Sequence, residues 1–177
     1  DWSSDVCSSD LHVPMEIIRK TIREFTAVEH RIEFVAEKNG VAYYNDSKGT
    51  NPDAAIKGIQ AMNRPTFLIG GGYDKDSSYD EWIQSFDGKV KKLVLLGATK
   101  EKINETAKRL GFTDTILADT FEEAVNICVE QAEPGDAVLL SPACASWGMF
   151  KNSLVEPIDD AQRNIYDIYM DLRSEER

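Results

Sequence analysis

Residues 43–55 read YYNDSKGTNPDAA, and they contain the step from which the rest of the fold is built. A β-type run ends at Asn45, and a polar turn follows. Asn51 and Pro52 then supply an N-cap and a first helical position for PDAAIKGIQAM. The turn brings together an acid, a base, two hydroxyls and two amides. Polar residues also fill ordinary loops, so the turn alone does not separate a binding site from helix capping.

The same strand–helix step recurs after this turn. Short apolar runs, namely PTFLIGGG, KLVLLG, TILA and AVLLSPACAS, alternate with the helical stretches YDEWIQSF, TKEKINETAKRLG and TFEEAVNICVEQAEPGD. Thr120 and Glu123 have the spacing of a capping box at the start of the last helix. This alternation predicts an α/β fold with a Rossmann-like, mostly parallel, buried sheet flanked by helices.

The residues before the turn predict a hairpin and a helix. RIEFVAEKNGVAYYND contains two β-rich runs separated at Asn39-Gly40, a pair that supplies the positive φ angles of a tight turn, so we expect an N-terminal β-hairpin. In PMEIIRKTIREF, Pro14 suits a first helical turn, while Ile18, Ile22 and Phe25 share one face. This stretch is typical of a short amphipathic helix.

Composition limits the classes of protein. The 177 residues and the 42% apolar content suit one globular domain. A formal charge of −11 argues against nucleic acid or an anionic membrane as the main partner. No apolar run reaches the length of a membrane span. The three cysteines form neither a disulfide framework nor a zinc pattern, so we expect a reducing, cytoplasmic setting.

The two ends of the chain differ from the rest. Residues 8–11, SSDL, can be encoded by TCTTCCGATCT, and the opposite strand of that DNA encodes Arg-Ser-Glu-Glu, the residues from Arg173 to Glu176. One short DNA sequence in opposite orientations at both ends is typical of a sequencing adapter. We therefore treat residues 1–11 and 173–177 as non-native, and expect the remainder to be a gene fragment truncated on both sides.

Ligands of open α/β sheets bind beyond the carboxyl ends of the strands. Four polar or glycine-rich segments follow predicted strands, at residues 45–51, 70–75, 97–100 and 141–146. They carry hydroxyl groups or lysines suited to anions. We expect them to converge on one ligand that bears carboxylate or phosphate.

Individual residues in these segments support an anion site without proving it. Lys48 and Thr50 precede a helix N-terminus, where free N–H groups and the helix dipole favour negative charge. Lys75 follows a glycine run that permits close backbone approach. A solvated lysine and a helix cap explain Lys48 and Thr50 equally simply. Asp46 suits a metal ion, a sugar hydroxyl or the capping of its own turn.

Two other chemistries are disfavoured. The chain contains no G-x-x-x-x-G-K-[ST] motif, so the phosphates of any ATP would be held by another part of the protein. CASWG resembles a nucleophile elbow around Ser146, but the only histidines, His12 and His30, lie far upstream. The sequence therefore disfavours a hydrolase, and Cys144 is interpreted as a packing residue.

The motifs HRIEF, NDSKGTNPDA, GGYDK, LLG, PGD and LLSPACASWGMFKN occur in an order and spacing that resemble the C-terminal domain of the Mur ligases. The resemblance covers about residues 12–152 and is most specific for the branch that adds D-glutamate to UDP-N-acetylmuramoyl-L-alanine. It implies that residues 12–29 are the tail of the central ATPase domain with a hinge, and that residues 30–172 are the C-terminal domain.

The family implies ATP-dependent amide-bond formation in cytoplasmic peptidoglycan synthesis by a monomer. ATP and Mg²⁺ would be held mainly by the central domain, so we expect this fragment to be inactive alone and to contain no catalytic residue or metal ligand. The implied D-glutamate contacts are Lys48, Thr50, Lys75, Ser146 and Trp147. The implied nucleotide contacts are His30, Arg31 and Asp46.

This sequence departs from the family pattern at its end. Gly148 stands where the family often has Asp, and Ser153 replaces the aromatic residue expected to line the D-glutamate pocket. The alternative hypothesis is a non-enzymatic α/β module that binds a nucleotide or an amino acid. A P-loop and a carbamylatable lysine upstream in the same reading frame would favour the ligase.

Overall fold

The computed structural model describes residues 13–24 and 30–145. The predictions for residues 1–11, for Phe25 and for everything from Ser146 onward, including Trp147, Gly148, Ser153 and the adapter-like C-terminus, lie outside the described residues. The helix predicted after Pro14 is present as α1, Met15–Glu24. No residue of α1 is buried against the described part of the chain, and Ile22 is 64% exposed.

The N-terminal hairpin is confirmed. Strands β1, Glu33–Lys38, and β2, Val41–Asn45, pair antiparallel, with Lys38 opposite Val41. The two turn residues Asn39 and Gly40 have φ angles of 53° and 78°, as a two-residue hairpin turn requires.

The remaining strands form the mostly parallel sheet that the sequence predicts. Six strands lie in the order β1-β2-β6-β3-β4-β5, and only the β1–β2 pair is antiparallel. The further strands are β3, Thr66–Gly70; β4, Val90–Leu95; β5, Thr115–Leu117; and β6, Ala137–Leu140. The last strand along the chain thus lies in the middle of the sheet, between β2 and β3.

Helices cover both faces of the sheet. Their bounds are α2, Pro52–Ala61; α3, Asp80–Gln84; α4, Lys100–Arg109; and α5, Phe121–Gln131. One apolar cluster joins α2, α3 and α4 to side chains such as Leu68 and Leu93. A second cluster joins α5 to the alternate side chains Phe67 and Val94. This alternation along each strand gives the sheet two buried faces.

Two details of α5 and α3 differ from the sequence-based predictions. At α5, Thr120 Oγ1 accepts from the N–H of Glu123 (3.1 Å), but the Glu123 carboxylate accepts from Asp119 (2.7 Å), so the capping box is displaced by one residue. At α3, the helix is shorter than YDEWIQSF at both ends: Tyr79 is a buried N-cap residue that makes no side-chain cap bond, and Ser85 is the C-cap.

Among the described helices, none has both the length and the apolar content needed to cross a membrane.

Candidate functional site

Four loops meet at the carboxyl edge of the sheet. We name them by the strand that they follow: the β2 loop (residues 46–51), the β6 loop (141–145), the β3 loop (71–79) and the β4 loop (96–99). Because β6 lies between β2 and β3, the β6 loop separates the two loops that carry the predicted lysines. The strand order therefore decides which loops can share a ligand.

The β2 loop is bonded directly to the β6 loop. The N–H of Asp46 donates to the carbonyl of Leu140 (2.7 Å), and the N–H of Ala143 donates to the carbonyl of Gly49 (2.8 Å). Ser141 Oγ donates to Asp46 Oδ2 at 2.7 Å. Two backbone bonds and one buried side-chain bond thus fix the distance between these loops.

The β3 loop is bonded to the other side of the β6 loop. The N–H of Gly71 donates to the carbonyl of Pro142 (2.8 Å), and the N–H of Tyr73 donates to the carbonyl of Ala145 (2.7 Å). A Cβ atom at Gly72 would lie 2.4 Å from the Ala145 oxygen. The glycine run therefore permits close packing against neighbouring loops of this chain, a role that the sequence alone does not distinguish from approach to a ligand.

The β4 loop joins the same group through Thr99. Its Oγ1 accepts from the N–H of Gly72 at 2.9 Å, and its own N–H donates to the carbonyl of Gly72 at 3.1 Å. The Cys144 thiol lies 3.4 Å from Thr99 Oγ1 and 3.2 Å from the Tyr79 hydroxyl. Cys144 is buried, as expected of a packing residue, and its sulfur also contacts the hydroxyl groups of Thr99 and Tyr79.

Asp46, a predicted nucleotide contact, is turned toward the protein. Its side chain is 6% exposed, and besides Ser141 it accepts from the N–H of Ile32 at 3.3 Å. Burial raises the pKa of the carboxyl group, while the bonds from Ser141 and Ile32 and the charge of Arg31 act in the opposite direction. The nucleotide contact of Asp46 stays a prediction.

His30, which precedes β1, is hydrogen-bonded to the end of β2 and to the β2 loop. Asn45 Oδ1 accepts from the N–H of Ser47 (3.0 Å), which leaves Asn45 Nδ2 to donate to His30 Nδ1 at 3.0 Å. The N–H of Lys48 donates to the His30 carbonyl (3.3 Å), and the N–H of His30 donates to Glu33 (2.9 Å). His30 and Ile32 both have positive φ angles, 65° and 48°, so this segment is held in a strained conformation.

The three predicted nucleotide contacts are therefore neighbours. Arg31 is exposed, and it lies between two residues that are bonded to the β2 loop. Burial raises the pKa of Asp46, and the positive charge of Arg31 opposes that rise. Asn45, which orients the His30 ring, is a residue to which sequence reasoning assigned no role. The feature of the sequence that could have identified Asn45 is its position at the end of the predicted strand β2.

The D-glutamate contacts predicted within the described residues also lie at this edge. Lys48 and Lys75 are exposed, and Thr50 is half-buried before α2. Burial raises the pKa of the Cys144 thiol, while the bonds to Thr99 and Tyr79 and the charge of Lys75 act in the opposite direction. The β2 and β3 loops thus place a lysine on each side of the β6 loop. Ser146 and Trp147 lie outside the described residues.

Within residues 13–24 and 30–145 we find no group of three or more His, Cys, Asp or Glu side chains that could hold a metal ion. Asp46 has both carboxylate oxygens engaged by protein donors. Neither oxygen of this carboxylate is therefore left without a protein donor.

Comparison with known proteins gives a consistent result. The family model of the Mur ligase glutamate ligase domain matches residues 30–144. A protein of Lachnoclostridium phytofermentans named UDP-N-acetylmuramoylalanine–D-glutamate ligase is 62% identical over 142 residues, which is 80% of this chain and 31% of that protein. The chain thus spans less than a third of the length of this relative.

Solved structures share the fold at low sequence identity. The UDP-N-acetylmuramate–alanine ligase of Thermotoga maritima aligns with a TM-score of 0.63 and 13% identity, over 94% of this chain and 36% of that one. A bifunctional folylpolyglutamate synthase/dihydrofolate synthase of Yersinia pestis, solved with AMPPNP and a Mn ion, aligns with a TM-score of 0.53 and 16% identity, over 79% of this chain and 32% of that one.

Proposed function

Because the chain belongs to the Mur ligase family through its glutamate ligase domain, we propose that it is the amino-acid-binding part of a D-glutamate-adding ligase. The complete enzyme would join D-glutamate to UDP-N-acetylmuramoyl-L-alanine in peptidoglycan synthesis, as a monomer in the cytoplasm. The observation that carries the proposal is the bonding of the β2 and β3 loops, with Lys48 and Lys75, to opposite sides of the β6 loop.

This arrangement suits a small dicarboxylate. D-Glutamate presents two carboxylates and one amine, so a site for it needs positive charge and hydroxyl donors from more than one direction. Lys48 and Thr50 supply a cation and a hydroxyl before the N-terminus of α2, where the helix dipole adds to the attraction for an anion. Lys75 supplies a second cation from the β3 loop. Ser146 and Trp147, next along the chain from Ala145, complete the proposed set.

The chemical contribution of these residues is orientation. ATP supplies the phosphoryl group that converts the carboxylate of UDP-N-acetylmuramoyl-L-alanine into an acyl phosphate. The lysines then hold the D-glutamate carboxylates so that its amine faces the acyl carbon. Attack forms the amide bond and releases phosphate. Holding one reactant in a reactive geometry removes much of the entropic cost of the step.

On the nucleotide side, His30, Arg31 and Asp46 are proposed to contact the ribose and base region of ATP. His30 and Ile32 are hydrogen-bonded to the β2 loop and hold Arg31 beside it. Binding or loss of the nucleotide would therefore also affect the β2 loop, which carries Lys48 and Thr50. The phosphates and Mg²⁺ are proposed to be held mainly by the central domain of the complete ligase; within the described ranges no group of three or more His, Cys, Asp or Glu side chains could hold the metal ion.

A chimera tests the proposed function. Residues 30–144 of this chain would replace the corresponding segment of the Lachnoclostridium phytofermentans ligase, and phosphate release would be measured with each substrate. We expect release that depends on D-glutamate and not on L-glutamate, together with formation of the dipeptide product. The isolated chain of 177 residues is the control, and we expect it to release no phosphate.

Two outcomes would contradict the proposal. One is a chimera that folds, as judged by circular dichroism, but shows no D-glutamate-dependent phosphate release. The other is an isolated chain that catalyses the release alone. Binding of nucleotide or amino acid by an inactive, folded chimera would favour the non-enzymatic binding module instead.

A further inference from the structure

Resting on this proposed function, we infer that Thr99, Tyr79 and Cys144 are positioning residues for the amino-acid substrate. They form a buried cluster that fixes the β3 loop against the β6 loop and so determines where Lys75 lies. None of them is a proposed ligand contact. Their effect would be transmitted through the backbone of Gly72 and Tyr73.

The cluster joins three separate segments of the chain in the interior. Thr99 follows β4, Tyr79 precedes α3, and Cys144 follows β6, and each is at most 2% exposed. The Cys144 sulfur lies 3.2 Å from the Tyr79 hydroxyl and 3.4 Å from Thr99 Oγ1. Burial, followed by the bond to Cys144, raises the pKa of Tyr79, so its hydroxyl stays protonated and can donate.

After β3 the chain is no longer paired with β4, and Thr99 makes the hydrogen bonds that a strand partner would otherwise make. Beyond Gly70 the ladder between β3 and β4 ends, yet the N–H and C=O of Gly72 are buried and need partners. Thr99 provides both, with its hydroxyl accepting from the N–H and its own N–H donating to the carbonyl. A Cβ atom on Gly97, two residues before Thr99, would lie 2.8 Å from the Gly72 Cα, so the two loops are in close contact.

Lys75 is attached to the backbone that is fixed in this way. Gly72 is bonded to Thr99, and Tyr73 is bonded to Ala145, so two successive residues before Lys75 are held from opposite sides. Lys75 follows Tyr73 by two residues, so its backbone leaves directly from this fixed segment. Loosening the cluster should therefore displace Lys75 relative to Lys48, which the β2 loop carries on the far side of the β6 loop.

The kinetic test uses Thr99→Val in the active chimera, because valine keeps the shape of threonine and removes the hydroxyl. Gly72 then loses its acceptor. We expect the KM for D-glutamate to rise by about tenfold, because a displaced Lys75 would lose much of its charge-assisted bond to the substrate. The KM values for ATP and UDP-N-acetylmuramoyl-L-alanine should change by less than about twofold, since neither is held by the β3 loop.

Matched variants separate this role from a general loss of structure. Thr99→Ser keeps the hydroxyl and should restore most of the affinity for D-glutamate. Tyr79→Phe removes one hydroxyl from the cluster and should raise the same KM in the same direction. Thr106→Val is the control within α4, because the Thr106 hydroxyl bonds only the carbonyl of Lys102 in its own helix (2.9 Å), and it should leave all three KM values unchanged.

Amide hydrogen exchange of the 177-residue chain tests the cluster without any need for activity. Thr99→Val should accelerate exchange at Gly72 and Tyr73, whereas Thr106→Val should not. Unchanged exchange at these amides would overturn the inference. So would a Thr99→Val chimera in which all three KM values rise together, or in which stability falls and the KM for D-glutamate stays constant. An inactive parent chimera would instead count against the proposed function, and exchange would still decide whether the cluster fixes the loop.

Discussion

At the scale of single residues, the buried Asp46 joins segments of the site that are distant in sequence. Its carboxylate accepts from Ser141, which is 95 residues away in sequence, and from the backbone of Ile32. Lys48 and Thr50 could be identified from the sequence because cations and hydroxyls near a helix start favour anions, and Lys75 because it follows a glycine run. The partners Ser141, Tyr79 and Thr99 could not, because which loops meet depends on the strand order.

The Asp46→Asn variant tests the energetic cost of this buried acid. An amide can donate to Ser141 and accept from Ile32, so both bonds are retained without a charge, and we expect a free energy of unfolding at neutral pH no lower than that of the wild type. Because burial raises the pKa of Asp46, the folded state binds a proton before the unfolded state does. The wild type should therefore gain stability relative to the variant as the pH falls through that raised pKa toward the ordinary pKa of an aspartate in the unfolded chain.

Urea unfolding of both proteins over a series of pH values measures this difference. A wild type that loses stability relative to Asp46→Asn on acidification would show that the carboxylate is stabilised in its charged form, contrary to this account. A separate loss of nucleotide affinity in the variant would support the proposed ribose contact, because its fold should be preserved.

At the scale of the elements, α2 is tied to the site by a glycine. A Cβ atom on Gly58 would lie 2.8 Å from Asp46 Oδ2 and 3.1 Å from Ser141 Oγ. The sequence predicts the helix and its cap correctly, and Asn51 Oδ1 accepts from the N–H of Ala54 at 2.9 Å. The sequence alone does not explain why a glycine lies in the helix interior. In the structure, Gly58 leaves room for the hydrogen bond between Asp46 and Ser141, which belong to two other segments.

Gly58→Ala tests this packing. In an exposed helix the change would stabilise a protein by about 0.5–1 kcal/mol. Here we expect a loss of about 1–3 kcal/mol, because the new methyl group would displace a hydrogen-bonded carboxylate. Gln60→Ala, on the exposed side of α2, should change the free energy of unfolding by less than about 0.5 kcal/mol. Stabilisation by Gly58→Ala would contradict the close contact.

At the scale of the whole molecule, the alternation of apolar runs and helices predicts the parallel sheet, and Asn39-Gly40 predicts the hairpin. The sequence does not predict that β6, the last strand, lies between β2 and β3. Alternation shows which segments are strands, whereas the order depends on how the long crossovers pack on the two faces. That order is what places the β6 loop between the loops of Lys48 and Lys75.

The most direct test of the central claim is the KM for D-glutamate in chimeras that carry Lys48→Met or Lys75→Met. Since each lysine is proposed to bind the same dicarboxylate, each variant should raise this KM by about tenfold or more, the loss expected for one charge-assisted bond. The KM for UDP-N-acetylmuramoyl-L-alanine should stay constant, and Lys57→Met on the exposed side of α2 should change neither value. Unchanged D-glutamate KM values in both lysine variants would contradict the claim that the two loops hold one ligand.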